Sequence, residues 1–109
     1  MKTYYSLFLA FAVTFSATAQ KKELKAAQKL VDASSFDAAL TLLNENSDLL
    51  SSAEAKYASH YHYLLGLSKE AKKEFFKTVE EFEKVKSIEG NAGLKKYTQL
   101  IDTNKTKLV

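Results

Sequence analysis

Residues 57–85 read YASHYHYLLGLSKEAKKEFFKTVEEFEKV, and their apolar and small residues recur at alternating steps of four and three. This rhythm is typical of an amphipathic helix, because it keeps one face of the helix apolar. The positions are Tyr57, Tyr61, Leu64, Ser68, Ala71, Phe75, Thr78, Phe82 and Val85. No glycine, asparagine or serine stands at 71–73, so periodicity alone leaves two interpretations open. The segment is either one continuous helix over 53–88, as in a coiled coil, or two helices joined by a turn near Ala71–Lys73.

An internal repeat of the sequence favours the turn. The small residues Ala27 and Gly66 stand 39 positions apart, and a phenylalanine follows nine residues after each. A second small residue follows after twelve, and a large apolar residue after sixteen. Small residues let helix backbones approach, and large residues fill the gaps between helices. We therefore expect eight residues to pack helix against helix. They are Ala27, Phe36, Ala39, Leu43, Gly66, Phe75, Thr78 and Phe82.

These spacings resemble the tetratricopeptide repeat, whose pattern pairs a leucine–glycine on a first helix with an alanine and an aromatic residue on a second. Leu65, Gly66, Thr78 and Phe82 stand at those places, and Tyr97 resembles the start of a third repeat. The resemblance covers nearly the whole chain from residue 20. It implies an all-α fold over 20–103, in which antiparallel helix hairpins stack as a short solenoid of about two and a half repeats.

The sequence departs from this family's pattern at several positions. The period is 39 residues, whereas that of the family is about 34. Glu23 and His62 replace the leading tryptophan, and Ser51 and Gly90 replace the closing proline. The extra residues, about five in each period, fit a longer second helix or a loop around 44–52.

Local signals predict where the helices begin and end. Helices are expected over 22–33, 36–50, 75–88 and 94–102, with a further helix beginning at Ser51. The polar residues Asn44, Asn46, Ser47 and Asp48 could fray the second of these helices or end it early. Ser51 and Glu54 form a capping box, in which each side chain satisfies the other's free backbone donor. The glycines at 90 and 93 are expected to end the fourth helix. The polar residues from Thr103 predict a frayed tail over 104–109.

The N-terminal segment, 1–19, has the layout of a secretory signal peptide. Lys2 precedes an apolar stretch over 4–14, and Ala17, Thr18 and Ala19 supply the small residues of a cleavage site. We expect cleavage between Ala19 and Gln20, because the apolar stretch is shorter than the roughly 20 residues that span a bilayer. The end of this segment resembles signal ends common in Bacteroidetes-type bacteria. A periplasmic or secreted protein with no stable membrane span after cleavage is the expectation.

The charged residues argue against a nucleic-acid partner. The sixteen basic residues are all lysines, and cleavage of the signal would leave fifteen lysines against thirteen acidic residues, a net charge of +2. Lysine is a solvated point charge, whereas arginine provides the planar fork that recognises phosphates and bases. The acidic residues are interleaved with the lysines, so we expect a mixed, solvated surface.

No residue pattern in the chain predicts catalysis. The absence of cysteine excludes thiol chemistry and cysteine zinc sites. His60 and His62 would point roughly 200° apart on a helix, so they cannot share a metal easily, and no metal site is predicted. Glu80, Glu81 and Glu83 are interpreted as a solvated face, because acid–base work requires a cleft that shifts their pKa values. We expect no enzyme activity and no cofactor.

The family resemblance also implies a binding surface. First helices of such repeats line a concave groove that holds extended peptides. Carried over, the groove would contain Gln28, Asp32, His60, Tyr63, Leu67 and Glu70. These residues do not reproduce the lysine–asparagine clamp with which some family members hold C-terminal carboxylates. Tyr57, Tyr61 and Tyr97 are expected to face the core, which leaves Tyr63 as the better candidate for contact with a partner.

The sequence therefore predicts an exported, non-enzymatic scaffold or adaptor. It would bind a protein partner, or a second copy of itself, through stacked helix pairs. The alternative is a coiled-coil structural protein that self-associates through one long helix over 53–88.

Overall fold

The computed structural model describes residues 18–108, and within this range the chain is helical with short turns and no strand. The predicted all-α class is confirmed. The helices are α1 (residues 18–32), α2 (Phe36–Glu45), α3 (Ser47–Ser51), α4 (Ala55–Ala71), α5 (Phe75–Glu89) and α6 (Leu94–Thr106), with a short 3₁₀ turn, Gly90–Ala92, before α6. No helix between residues 18 and 108 is long and apolar enough to cross a membrane.

The turn between α4 and α5 decides between the two interpretations of residues 57–85. Helix α4 ends at Ala71 and α5 begins at Phe75, so the single helix over 53–88 is wrong. Lys73 has a left-handed backbone with φ 62°. The N–H of Lys73 donates to the carbonyl oxygen of Glu70 at 2.9 Å, and that of Glu74 donates to Lys69 at 2.9 Å. Glycine usually occupies the left-handed position of such a helix end, and its absence hid the turn from sequence inspection.

The same turn occurs one repeat earlier in the chain, between α1 and α2. Ser34 has φ 60°, and its N–H donates to Val31 at 2.9 Å, while that of Ser35 donates to Leu30 at 2.8 Å. The residues before α2 and α5 have nearly identical dihedrals, φ −88° and ψ 64° for Ser35 and φ −89° and ψ 66° for Glu74. The repeat in the sequence therefore corresponds to a repeated backbone conformation.

Two boundaries between α1 and α4 differ from the predicted ones. The helix expected over 36–50 ends early and is interrupted at Asn46, whose side-chain Nδ2 donates to the carbonyl oxygen of Leu42 at 2.8 Å. The capping box is not formed, because Ser51 belongs to the end of α3 and α4 begins only after Glu54, which makes no side-chain cap bond. The Ser52 hydroxyl instead donates back to the carbonyl oxygen of Asp48 at 2.6 Å.

The two ends of the described chain also differ from expectation. Helix α1 includes residues 18–21, upstream of the predicted start at Lys22, and the rest of the predicted signal segment lies outside the described residues. Helix α6 continues to Thr106 instead of ending at Asp102, so residues 104–106 do not belong to the predicted tail. The extension has a packing reason, because Asn104 is fully buried.

The helices enclose two apolar clusters that meet at α4. The first cluster joins α1, α2, α3 and α4 and contains Leu24, Ala27, Val31, Ala39, Leu43, Leu50, Tyr61, Leu64 and Leu65. The second joins α5 and α6 and contains Val79, Phe82, Val85, Tyr97 and Ile101. The half-buried Leu67 packs against both clusters. Each fully buried large side chain stabilises the fold by about 1.5–3 kcal/mol.

The eight residues expected to pack helix against helix differ in burial. Ala27, Ala39, Leu43, Thr78 and Phe82 are fully buried, and Gly66 is buried as well. A Cβ atom on Gly66 would lie 2.5 Å from Cε1 of Phe82, which shows how closely α4 and α5 approach. Phe36 and Phe75 are only half-buried, at the starts of α2 and α5.

Candidate functional site

One side of α4 contacts both α1 and α6. The predicted groove residues His60, Tyr63, Leu67 and Glu70 recur at steps of three and four, so they fall within an arc of roughly 80° on this helix. His60 reaches Gln28 of α1, whereas Glu70 reaches Asn104 of α6. Helices α1, α4 and α6 are therefore linked in a row through α4.

A hydrogen-bonded chain of side chains joins α4 to α1. The Nε2–H of His60 donates to Oε1 of Gln28 at 2.8 Å, and Nε2 of Gln28 donates to Oδ1 of Asp32 at 2.9 Å. Both bonds agree on the orientation of the Gln28 amide, since its oxygen accepts and its nitrogen donates. Burial lowers the pKa of His60, which favours the neutral ring. Three of the six predicted groove residues thus form one connected group.

A shallow cleft lies beside this group, between the N-terminal half of α1 and the start of α4. Its volume is about 250 Å³, and it is lined by Lys21, Leu24, Lys25, Gln28, Tyr57 and His60. Leu24 is almost fully buried and Tyr57 is half-buried. The ammonium group of Lys56 lies 5.0 Å from the centre of the Tyr57 ring, in a cation–π contact. None of the described residues that line the cleft is acidic, so its apolar floor has a positive rim.

On the α6 side the equivalent space is filled. The Tyr63 ring lies 6.0 Å from that of Tyr97, edge to face, and 6.1 Å from that of Phe82. The ammonium group of Lys96 lies 4.6 Å from the Tyr63 ring centre. Tyr63, which the sequence analysis favoured for contact with a partner, is half-buried among these side chains.

Polar contacts complete the junction between α4 and α6. Nδ2 of Asn104 donates to Oε2 of Glu70 at 2.7 Å and to the carbonyl oxygen of Leu100 at 2.8 Å. Tyr63, Leu67 and Glu70 therefore join α4 to α6, and none of the three lines the cleft.

The charged residues are distributed unequally between the helices. In the described residues, α1, α4 and α6 contain nine lysines and four carboxylates, a net charge of +5. Helices α2, α3 and α5 contain three lysines and seven carboxylates, a net charge of −4. The cleft thus lies on the basic group of helices. The two lysines that line the cleft attract an anionic ligand, and this attraction is stronger at low ionic strength.

A second polar cluster lies between α4 and α5. Glu81 is buried, so the interpretation of Glu80, Glu81 and Glu83 as one solvated face is wrong for this residue. The Glu81 carboxylate accepts a hydrogen bond from Nδ1 of His62 at 3.0 Å, and it lies 3.6 Å from Nζ of Lys69 and 3.4 Å from Nζ of Lys84.

The three partners determine the protonation of Glu81. Burial alone would raise the pKa of this carboxyl, but the His62 hydrogen bond and the two lysines outweigh it and lower the pKa. The cluster therefore holds a charged carboxylate between two helices, outside the cleft. We interpret it as a structural connection between α4 and α5.

Neither a metal site nor a known relative gives the cleft an identity. Within residues 18–108, no three His, Cys, Asp or Glu side chains lie close enough together to hold a metal ion. Comparisons with protein-family models, curated proteins and solved structures gave no match. The site must therefore be interpreted from its own geometry.

Four of the six cleft residues are not among the predicted groove residues. Tyr57 is expected to face the core and does pack against the first cluster, of which Leu24 is a member. Lys21 and Lys25 stand one turn apart on α1, a spacing that places them on the same face of the helix. That spacing was visible in the sequence, but its meaning depends on where α4 packs.

Proposed function

We propose that this protein is an exported, non-enzymatic adaptor that binds another protein on the basic side formed by α1, α4 and α6. The observation that carries the proposal is the cleft between α1 and α4, which has an apolar floor and a lysine rim. It contains Gln28 and His60, two residues that the resemblance to tetratricopeptide repeats assigns to a peptide-binding groove.

The repeated turn supports the finer interpretation of a short, tetratricopeptide-like solenoid. The α1–α2 and α4–α5 hairpins turn with the same backbone hydrogen bonds at equivalent positions of the repeat, and α6 follows α5 as the first helix of a third pair would. Such repeats stack so that their first helices form one continuous surface. Export to the periplasm or the medium follows from the predicted signal segment, 1–19.

Position-dependent crosslinking tests the adaptor function. A photoreactive residue would replace Gln28, which lines the cleft, or Glu83, which is exposed on α5. We expect the Gln28 position to give a discrete crosslinked protein in envelope extract, and the Glu83 position not to give it. The product should weaken when the Gln28 probe is combined with Lys25→Glu, because Lys25 lies at the rim of the cleft.

The control for charge is Lys77→Glu, since Lys77 is an exposed lysine on α5 outside the cleft. This variant should keep the product. Identical products from both probe positions, or a product that Lys25→Glu leaves unchanged, would show that the cleft does not bind the partner.

A further inference from the structure

The size of the cleft restricts what it can hold. Pockets for drug-sized ligands and cofactors usually enclose roughly 300–1,000 Å³. At about 250 Å³, the cleft lies below this range and is open to solvent along one side. Its floor is formed by Leu24 and by the ring of Tyr57. These features suit one bulky apolar side chain presented by an extended segment.

The rim restricts the residues on either side of that apolar side chain. Lys21 and Lys25 line the cleft beside its apolar floor. Asp32, one carboxylate close to the lining residue Gln28, already accepts a hydrogen bond from that amide. A segment with carboxylates beside its apolar residue would place them opposite these two lysines.

On this basis we propose that the cleft binds an acidic, extended segment of a partner protein, with a bulky apolar side chain seated between Leu24 and Tyr57. The inference rests on the adaptor function proposed above and names the chemistry of its ligand. Charge complementarity acts at two levels, through Lys21 and Lys25 in the cleft and through the net charge of +5 on α1, α4 and α6. The two lysines contribute to affinity, and the net charge of the helices contributes mainly to the rate of association.

A second copy of this chain is a poorer occupant than another protein. The exposed large apolar side chains in the described residues are Phe76, Leu94 and Leu108. Each is followed or preceded directly by a lysine, Lys77, Lys95 and Lys107 respectively. Insertion of any of them into the cleft would bring lysine against lysine.

A nucleic acid fits the site less well than a peptide. Its phosphates would match the lysines, but the chain has no arginine to form bidentate contacts with phosphates or bases. The apolar floor between Leu24 and Tyr57 would receive no matching group from a phosphate backbone.

Fluorescence anisotropy with synthetic peptides tests this inference on the mature chain. The first peptide carries a central leucine between aspartates and glutamates. In the second every carboxylate is replaced by the corresponding amide, and in the third the leucine becomes serine. We expect the first peptide to bind about tenfold more tightly than the second at low salt, because several exposed ion pairs each contribute modestly. The difference should shrink as salt rises, and the third peptide should bind more weakly than the first.

Matched variants assign the effect to the cleft. Lys21→Gln combined with Lys25→Gln should reduce the affinity for the acidic peptide to nearly that of the amide peptide. Lys77→Gln removes one lysine from α5 and should leave the affinity unchanged. Helical circular dichroism would verify that each variant is folded, which is expected because all three lysines are exposed.

Four results would overturn the inference. The first two are equal affinity for the acidic and amide peptides, and unchanged affinity for the acidic peptide in the double variant. The third is displacement of the acidic peptide by a single-stranded oligonucleotide of equal charge. The fourth is sedimentation showing a dimer in which the chain occupies its own cleft. If the Gln28 crosslink forms while the peptides fail, the adaptor function stands and the acidic ligand is rejected. If both fail, the adaptor function fails as well.

Discussion

Gly66 lets α4 and α5 approach until the ring of Phe82 fills the space where a Cβ would stand. Gly66→Ala would gain about 1 kcal/mol of helix propensity. The new methyl group would lie 2.5 Å from the ring of a fully buried phenylalanine, and such overpacking costs about 1–3 kcal/mol. We expect a net loss of up to about 2 kcal/mol in the free energy of unfolding, measured by urea denaturation.

A double-mutant cycle checks the physical cause of this loss. In a Phe82→Leu background the ring is gone, so Gly66→Ala should become neutral or stabilising relative to Phe82→Leu alone. Equal losses from Gly66→Ala in both backgrounds would show that contact with the Phe82 ring is not the reason.

The groove expected from the family resemblance shares only two residues with the cleft. Gln28 and His60 were assigned to a groove through the family resemblance, and both line the cleft. Tyr63 was assigned by the same argument, but its ring packs against those of Phe82 and Tyr97. The spacing of residues in the sequence does not show how closely α6 packs against α4. Side-chain type and helical phase indicate which way a residue points, whereas the neighbouring element decides whether it is covered.

At the scale of the helical elements, the turn between α4 and α5 places a lysine where glycine is the usual residue. Lys73 has φ 62°, a conformation that costs an L-residue roughly 1–2 kcal/mol. Lys73→Gly removes this conformational cost, but the greater freedom of glycine in the unfolded chain lowers stability by about 0.5–1 kcal/mol. We expect a net gain of up to about 1.5 kcal/mol in the free energy of unfolding, measured by thermal or urea denaturation.

Two comparisons separate backbone relief from loss of the lysine side chain. Lys73→Ala also removes the charge but keeps the Cβ, so it should give no comparable gain. Ser34→Gly should stabilise by a similar amount, because Ser34 has φ 60° in the equivalent turn. If Lys73→Ala stabilised the protein as much as Lys73→Gly, the left-handed backbone would not be the source of the effect.

Helix boundaries were predictable where a local signal determined them. Phe36 begins α2 as expected, and Gly90, with φ 59°, ends α5. No local signal marks the turn before Phe75, where α5 begins. The capping box failed because Ser51 is taken up by α3. The end of α6 was placed too early because the polar residue Asn104 is buried through its bond to Glu70, a long-range contact that local composition does not contain.

At the scale of the whole molecule, charge is divided unequally between two groups of helices. Helices α1, α4 and α6 carry a net charge of +5, and helices α2, α3 and α5 carry −4. The overall charge of the chain, +3, hides this difference because the two groups largely cancel. The net charge of the whole sequence therefore does not reveal that α1 and α4, the two helices that border the cleft, each carry a net positive charge.

The acid stability of the molecule should depend on the carboxylate shared between its two central helices. Glu81 of α5 contacts His62 and Lys69 of α4, and its folded pKa is lowered from the ordinary value of 4.5. The unfolded chain therefore binds the Glu81 proton more readily than the folded chain does. The stabilisation is fully present above pH 4.5 and is lost as the pH falls through the folded pKa.

Glu81→Gln should therefore cost about 1–3 kcal/mol of unfolding free energy at pH 7, through loss of charged hydrogen bonds in a buried position. As the pH falls below 4.5 and through the folded pKa, the difference between this variant and the wild type should shrink, because Glu81 is protonated first in the unfolded chain and then in the folded one. Urea denaturation across pH 2–7 measures the unfolding free energy of both proteins.

Glu80→Gln is the matched control, because Glu80 is the exposed neighbour on the same helix. The pH dependence of its unfolding free energy should run parallel to that of the wild type. A Glu81→Gln deficit that stayed constant down to pH 2 would mean that packing, and not the charge of Glu81, connects α4 to α5.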